Sequence, residues 1–215
     1  MKIMLASGSP RRFDLLTQMG WEVEVHSLPF AEAETVEDSE SKLTTINLST
    51  VLSEKDMTLL SPYQNADLVC AYNALGKGRA AALSIGTDLP VIAADTIVVL
   101  DETILGKPAD TEDAARMLRI LSGKAHQVKT ATAVLYQDKT LLQVITTHVH
   151  FRALTESEIA WYVQTGEPLD KAGAYGIQGK GAVLVEKIEG SYDNVVGLPL
   201  TAVYEMLIEA GVKII

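Results

Sequence analysis

The chain has 215 residues, of which 47% are hydrophobic and 21% charged, as expected for a globular protein with one large domain or two small lobes that share a core. Its formal net charge of -10 argues against binding of nucleic acid or of a membrane surface through a broad basic face. Cys70 is the single cysteine, which excludes an internal disulfide, a thiolate zinc site and a C-x-x-C redox pair.

Strands and helices are predicted to alternate irregularly along the chain. Hydrophobic patterning predicts strands at residues 2–6, 21–28, 91–100, 126–136, 141–151 and 181–188. Periodicity and end signals predict helices at residues 10–19, 71–84, 110–123, 155–165 and 200–210. Several strands follow one another as hairpin-like pairs, which favours an α/β protein with a mixed sheet over a doubly wound one. For residues 35–70 we expect helical turns and a mobile loop.

The N-terminal segment and the apolar runs bear on localisation. The segment MKIMLASGSP lacks the apolar length of a signal peptide and reaches glycine and proline almost at once. The longest apolar runs, such as LPVIAADTIVVL, are too short to span a membrane and that run carries an aspartate. We therefore expect a cytoplasmic protein.

The segment LASGSPRR has the character of an anion site. A turn of small residues between a strand and a helix exposes backbone N–H groups at the positive end of the helix dipole. Ser7 and Ser9, which is also the predicted N-cap, add hydroxyl donors, and Arg11 and Arg12 add forked cationic donors. Cations at a helix N-terminus cost up to about 1 kcal/mol, which a bound anion would offset. A solvated first turn, with the arginines paired to acids elsewhere, is the alternative.

Asp95 is the second informative residue. It interrupts the β-branched strand predicted at residues 91–100, where its neighbours are all apolar or small. A carboxylate in a buried strand is costly unless it is paired, hydrogen-bonded or bound to a metal. Because the apolar run continues beyond it, a functional role is favoured over a structural one at the strand end.

Three other features are weaker on their own. Lys107 in GKP fits a solvated turn, and Glu32 and Glu34 in FAEAE fit an acidic surface as well as a metal site. Gln178 lies in a glycine-rich segment that would allow close approach of a ligand, and its amide suits the edge of a base. A glycine-rich hairpin loop explains the same segment equally well.

The motifs of several common enzyme classes are missing from the sequence. There is no G-x-x-x-x-G-K-[ST], no G-x-G-x-x-G, no G-x-S-x-G and no H-E-x-x-H. A P-loop ATPase, a Rossmann dehydrogenase, an α/β-hydrolase and a zincin therefore lose their main support.

Taken together and in order, the segments resemble the Maf (septum-formation) family of nucleoside triphosphate pyrophosphatases. The resemblance rests on LASGSPRR, AADT, GKP, LSGKAHQV, GEPLDKAGAYGIQGKGA and GSYDNVVGLPL, and it spans almost the whole chain as one domain, residues 1–215. It implies the inosine-triphosphatase-like fold, a long twisted mixed β-sheet with two lobes flanking a nucleotide cleft, and a homodimer. The implied activity is metal-dependent hydrolysis of a nucleoside triphosphate to the monophosphate and pyrophosphate, with Mg²⁺ or another divalent cation such as Mn²⁺.

The resemblance also assigns roles to residues of this chain. It implies that Asp95 accepts a proton from the attacking water and helps to hold the metal, and the sequence AGAYGIQG resembles the dTTP/UTP branch. Between Glu32 and Glu34 as the metal-binding glutamate we prefer Glu34. The implied catalytic residues are Asp95, Lys77 and Lys107, and the implied substrate-binding residues are Ser7, Ser9, Arg11, Arg12, Thr96, Gln178 and Asn194.

The sequence departs from the family pattern in one stretch, and it is compatible with two alternative functions. The stretch before Lys77 is longer than the family pattern, which predicts an insertion within residues 38–70. The substrate could be a modified nucleotide, with dTTP and UTP only tolerated. A nucleotide-sensing regulator of cell division that binds without turnover is the alternative from another class, although the presence of Asp95 speaks against it.

Overall fold

The fold is seen in a computed structural model, which describes residues 1–44, 51–86 and 88–214. The strands are β1 (Lys2–Leu5), β2 (Glu22–Val25), β3 (Val91–Leu100), β4 (Thr103–Leu105), β5 (Ala125–Tyr136), β6 (Lys139–Phe151) and β7 (Val185–Glu189). The helices are α1 (Pro10–Thr17), α2 (Val36–Thr44), α3 (Glu54–Leu60), α4 (Asn65–Ile85), α5 (Thr111–Leu121), α6 (Glu156–Gln164), α7 (Tyr192–Val196) and α8 (Leu200–Ala210). In these ranges, no helix is both long and apolar enough to cross a bilayer.

The strands form a mixed sheet. Their order is β2-β1-β3-β5-β6-β7, and β4 pairs with β3 beside this path. Strand β1 runs parallel to β2 and to β3, whereas β4 is antiparallel to β3 and β7 is antiparallel to β6. The predicted α/β class with a mixed sheet is confirmed.

The chain divides into two compact units. The first comprises Met1–Asp95, Thr130–Ile145 and Gly197–Ile215, and the second comprises Thr96–Lys129 and Thr146–Val196. In the first unit, α4 contributes a nearly continuous buried stretch from Leu68 to Gly76, because its apolar residues occupy all sides of the helix.

The second unit has its own hydrophobic core. Helix α5 buries Ala114, Met117, Leu118 and Leu121, which share one face of the helix at spacings of three and four residues. These side chains belong to one cluster with residues of β3, β5, β6 and α6. Tyr175 joins the same cluster, so part of the glycine-rich segment is anchored in the core.

Two predicted elements need correction. The helix predicted at residues 71–84 begins earlier, at Asn65, since the apolar residues before 71 also lie on it. The strand predicted at 181–188 begins only at Val185, and Gly179–Leu184 forms a 3-10 helix. A Cβ atom at Gly181 would lie 2.2 Å from the Gly176 carbonyl oxygen, so this segment packs on its own glycine-rich loop instead of extending the strand.

The region predicted to hold an insertion contains regular structure. The expected helical turns are present as α2, α3 and the start of α4. Asp56 of α3 is buried and accepts hydrogen bonds from Arg79 of α4, with Nη2 at 2.6 Å and Nε at 2.9 Å from Oδ1. Residues 45–50, which belong to the stretch where a mobile loop is expected, lie outside the described residues. The insertion itself stays a prediction.

Candidate active site

The loop after β1 and the first turn of α1 are tied together by Arg12. Its Nη1 donates to Ser7 Oγ at 3.0 Å, and its Nε donates to the Gly197 carbonyl oxygen at 2.8 Å. Ser9 occupies the N-cap position as predicted, but its side chain does not cap the helix. Instead the Ser9 backbone N–H donates to Ser7 Oγ at 3.3 Å, which makes buried Ser7 the acceptor for both the loop and the arginine.

Arg12 is electrostatically coupled to acidic residues of the same unit. Burial lowers the pKa of Arg12, and the adjacent Arg11 lowers it further, whereas the negative charges of Asp95 and Glu32 act in the opposite direction. Arg12 in the first turn of α1 therefore interacts with carboxylates, as the alternative of arginines paired with acids predicts. The same turn also lies at the positive end of the helix dipole, as the anion-site interpretation requires.

Asp95 lies near the middle of β3 and only 8% of its surface is exposed. Both of its carboxylate oxygens are engaged by α4. Lys77 Nζ donates to Oδ1 at 2.7 Å, and Asn73 Nδ2 donates to Oδ2 at 3.1 Å. The buried charge is therefore paired and hydrogen-bonded, as its position in an apolar strand requires. Each oxygen keeps a second lone pair that could accept a proton from a ligand or a water molecule.

Lys77 joins two carboxylates. Its Nζ lies 2.7 Å from Asp95 Oδ1 and 2.7 Å from Glu32 Oε2, so those two oxygens are no more than twice that distance apart. Glu32 is the more exposed of the pair, with 49% of its side-chain surface accessible. The Glu34 side chain is exposed, and its backbone N–H donates to Asp38 Oδ2. The geometry thus favours Glu32 at this cluster, against the preference for Glu34, whose role in a metal site stays a prediction.

The number of carboxylates near Lys77 determines how a metal ion could be held. Among residues 1–44, 51–86 and 88–214, no group of three or more His, Cys, Asp and Glu side chains is arranged to hold a metal ion. Two carboxylates on one ammonium nevertheless supply the oxygen donors that Mg²⁺ prefers. That ion is commonly held by one or two protein carboxylates, with water and phosphate oxygens completing the shell.

In the second unit, Lys107 lies in the turn between β4 and α5 and is exposed. The turn is fixed at Gly106, whose carbonyl oxygen accepts a hydrogen bond from the Gly173 N–H at 3.0 Å. Gly173 has a φ of +68°, and a Cβ atom there would lie 2.9 Å from Val98 Cγ1. Only glycine meets both conditions, so the glycine-rich segment is tightly connected to the turn that carries Lys107.

The Gln178 loop is held by Tyr162. The Gly176 N–H donates to Tyr162 Oη at 3.1 Å, and burial raises the pKa of Tyr162 to about 12. Gln178 itself is exposed and directly precedes the 3-10 helix that starts at Gly179. An exposed amide on a fixed loop is available to a ligand, which is compatible with its predicted role.

The two remaining predicted residues of this unit differ in their surroundings. Thr96 is half-buried on β3. Asn194 is fully buried, and its Nδ2 donates to the Val128 carbonyl oxygen at 3.1 Å and to Thr147 Oγ1 at 3.0 Å. These contacts give Asn194 a structural function in this unit, while its binding role stays a prediction.

Comparison with known proteins decides the family. The model of the family described as "Maf-like protein" matches residues 2–210, which is nearly the whole chain. The chain belongs to the Maf family. The resemblance found in the sequence motifs is therefore confirmed.

Several curated relatives of this Maf protein are dTTP/UTP pyrophosphatases. The dTTP/UTP pyrophosphatases of Escherichia coli O157:H7 and Salmonella typhimurium are 44% and 43% identical over 205 residues, which cover 95% of this chain and 91% of each relative. The protein of the same description from Escherichia coli K12 is 44% identical. Among solved structures, the Ham1 protein of Staphylococcus aureus aligns over 98% of this chain and 100% of its own, with a TM-score of 0.49 and 14% identity.

In this Maf protein, Asn73 was missed by the analysis of the sequence. It is buried on α4, directly one turn before Lys77, and contacts the same carboxylate as that lysine. The signal was present, because Asn73 is a polar residue within the apolar run LVCAYNAL. Like Asp95, this asparagine is a polar group among buried neighbours, and such a group requires hydrogen-bond partners.

Proposed function

We propose that this protein hydrolyses nucleoside triphosphates, preferentially dTTP and UTP, to the monophosphate and pyrophosphate with the help of Mg²⁺ or Mn²⁺. The observation that carries the proposal is the cluster of Asp95, Lys77 and Glu32 beside the arginine-bearing turn. The names of relatives that are 43–44% identical over most of both chains support the substrate. We also propose a homodimer, as the family resemblance implies, and a cytoplasmic location, as expected from the sequence.

The residues that would hold the metal are Asp95 and Glu32. Both present carboxylate oxygens to the Lys77 ammonium, and hard oxygen donors of this kind suit Mg²⁺ or Mn²⁺. When bound, such an ion would withdraw charge from the phosphate oxygens and lower the pKa of water in its shell. Lys77 would contribute its positive charge toward the triphosphate from the same cluster.

The chain's own groups cover the other needs of the reaction. In hydrolysis of the α–β anhydride, a water oxygen bonds to the α-phosphorus, the bond from that phosphorus to the bridging oxygen breaks, and pyrophosphate leaves. Asp95 would take the proton from the water on a free lone pair. Arg12 and Lys77 would neutralise the negative charge of the phosphates, which is the main requirement of phosphoryl transfer.

The remaining predicted residues would bind the substrate. Ser7, Ser9 and Arg11 belong to the turn whose N–H groups suit phosphate oxygens. Lys107 would add positive charge from an exposed turn. We propose that Gln178 contacts the base, with Thr96 and Asn194 supporting the same specificity.

The direct test is the release of pyrophosphate, as distinct from orthophosphate, from dTTP, UTP, CTP, GTP and 7-methyl-GTP with and without Mg²⁺. Asp95→Asn removes the proposed base, and Asp113→Asn serves as a matched control because Asp113 pairs with Arg116 on the surface of α5. We expect pyrophosphate from dTTP and UTP with the wild type and the control, and a loss of at least about 100-fold with Asp95→Asn.

Other outcomes would redirect the assignment. Turnover mainly of 7-methyl-GTP would retain the reaction and reject the dTTP/UTP preference. Faster turnover of modified nucleotides would favour their removal as the physiological task. Binding of dTTP without turnover, equal in wild type and Asp95→Asn, would favour the nucleotide-sensing regulator of cell division.

A further inference from the structure

The Asn73 side chain joins three groups at the centre of the first unit. Its Oδ1 accepts a hydrogen bond from the Ala33 backbone N–H at 2.7 Å, and its Nδ2 donates to the Ala33 carbonyl oxygen at 2.9 Å. The same Nδ2 donates to Asp95 Oδ2 at 3.1 Å. One amide thus binds both backbone polar groups of the residue next to Glu32 and also one oxygen of the buried carboxylate.

The orientation of this amide is determined by its partners. A backbone N–H can only donate and a backbone carbonyl can only accept, so Oδ1 must face the Ala33 N–H and Nδ2 must face its carbonyl oxygen. Both hydrogens on Nδ2 are then used, one by Ala33 and one by Asp95. The side chain is 3% exposed, so water does not substitute easily for these contacts.

Neither aspartate nor leucine, the two side chains closest to asparagine in shape, can make this set of contacts. Aspartate has no hydrogen to give to the Ala33 carbonyl oxygen or to Asp95 when it is ionised, and it would place a second negative charge beside that carboxylate. Leucine has nearly the same shape and makes no hydrogen bond. The asparagine amide therefore fits this position because it offers one acceptor, for the Ala33 N–H, and two donors, for the Ala33 carbonyl oxygen and Asp95.

The loop held by Asn73 is the one that carries Glu32. It is also packed on α4 through Phe30, whose ring lies 5.4 Å from that of Tyr72 and occupies the space above Gly76. Tyr72 and Gly76 form one row of the helix at a spacing of four residues, and Asn73 and Lys77 form the adjacent row. One face of α4 thus contacts the Phe30 ring, binds the Ala33 backbone and pairs with the Glu32 carboxylate between them.

We propose that Asn73 is a positioning residue for the reaction, which sets the distance and orientation of the Glu32 loop relative to Asp95. This inference rests on the proposed function, since it assigns Asn73 to the metal and water geometry of the same site. Its contacts are with both backbone polar groups of Ala33 and with one oxygen of Asp95. It acts through Ala33 and Asp95, so its loss should impair turnover far more than it impairs nucleotide binding.

The experiment compares Asn73→Asp and Asn73→Leu with wild type and with Asp56→Asn. Asp56 is also buried and is also contacted by a side chain of α4, Arg79, but it lies outside the proposed site. Asp56→Asn removes its charge and serves as the control. For each protein, kcat and KM for dTTP, the Kd for Mn²⁺ without nucleotide by calorimetry, and the melting temperature are measured. Asn73→Asp keeps an acceptor for the Ala33 N–H, so the inference can still be tested with this variant if Asn73→Leu does not fold.

We expect kcat to fall by about 10–100-fold in the Asn73 variants, as for other groups that orient ligands of a metal site, with KM within about threefold of wild type. Mn²⁺ binding should weaken by about tenfold, whereas Asp56→Asn should lower the melting temperature and leave kcat and the Mn²⁺ affinity unchanged. A kcat within twofold of wild type, or a kcat loss that Asp56→Asn reproduces at an equal loss of melting temperature, would overturn the inference. Failure of the wild type itself to release pyrophosphate would instead reject the proposed function.

Discussion

The two glutamates of FAEAE offer a decisive pair of substitutions. Glu32→Gln and Glu34→Gln remove the same charge two residues apart, and only Glu32 contacts Lys77, at 2.7 Å. If Glu32 helps to hold the cation, Glu32→Gln should lower kcat by about 10–100-fold and raise the Mg²⁺ concentration needed for half-maximal rate. Glu34→Gln should change either quantity by less than about twofold.

The stability of the two variants separates chemistry from folding. The Glu32 side chain is half exposed, and an exposed ion pair contributes at most about 1 kcal/mol. In a protein of this length that corresponds to a change in melting temperature of about 2–4 °C. Kinetics of pyrophosphate release over a Mg²⁺ series and thermal unfolding therefore suffice. A large loss of activity in Glu34→Gln together with nearly normal activity in Glu32→Gln would contradict the assignment of Glu32.

Three further predictions concern packing and buried charge. Replacing Asp56 by Asn should cost about 3 kcal/mol and lower the melting temperature by about 6–12 °C, because the Arg79 charge loses its buried partner; an unchanged denaturation curve would contradict this. Burial lowers the pKa of His126 to about 4, against about 6.5 in the unfolded chain. The unfolding free energy should therefore fall by on the order of 3 kcal/mol as the pH drops from 6.5 to 4. Urea titrations should show that the unfolding free energy of His126→Gln depends less on pH. In Gly76→Ala the new Cβ atom would lie 2.0 Å from Phe30 Cζ, so pyrophosphate release should decrease. It should recover in the double variant with Phe30→Leu, which removes the ring. A fully active Gly76→Ala variant would contradict this packing.

Elements with strong local signals could be predicted closely from the sequence. Helix α5, predicted at 110–123 and observed at Thr111–Leu121, has apolar residues on one face and an Asp110 N-cap that accepts a hydrogen bond from the Asp113 N–H at 2.8 Å. Helix α4 was predicted too short because its first half is apolar on every side, which weakens the helical period. The 3-10 helix at Gly179–Leu184 packs closely against the Gly176 carbonyl oxygen and the Tyr162 side chain, and hydrophobic periodicity does not reveal such contacts.

The candidate site was predictable where a residue conflicts with its local surroundings. Asp95 stands out as a carboxylate in an apolar strand, and the structure pairs it with Lys77. Whether Glu32 or Glu34 joins them depends on which side chain of the loop reaches α4, and this is a tertiary contact. Lys77 itself was identified only through the family resemblance, since a lysine on a helix carries no signal of its own.

The arginines that open α1 can now be explained by the charges around them. Arg11 and Arg12 lie at the positive end of the helix dipole, yet Asp95 and Glu32 interact favourably with Arg12 and Lys77 binds both carboxylates. These three cations and two anions leave one positive charge in excess, and the positive end of the helix dipole adds to it. A divalent cation on the carboxylates would increase the excess and repel Lys77 and Arg12. If Asp95 and Glu32 hold the metal, a bound polyanion would offset this excess, so metal and triphosphate are predicted to strengthen the binding of each other.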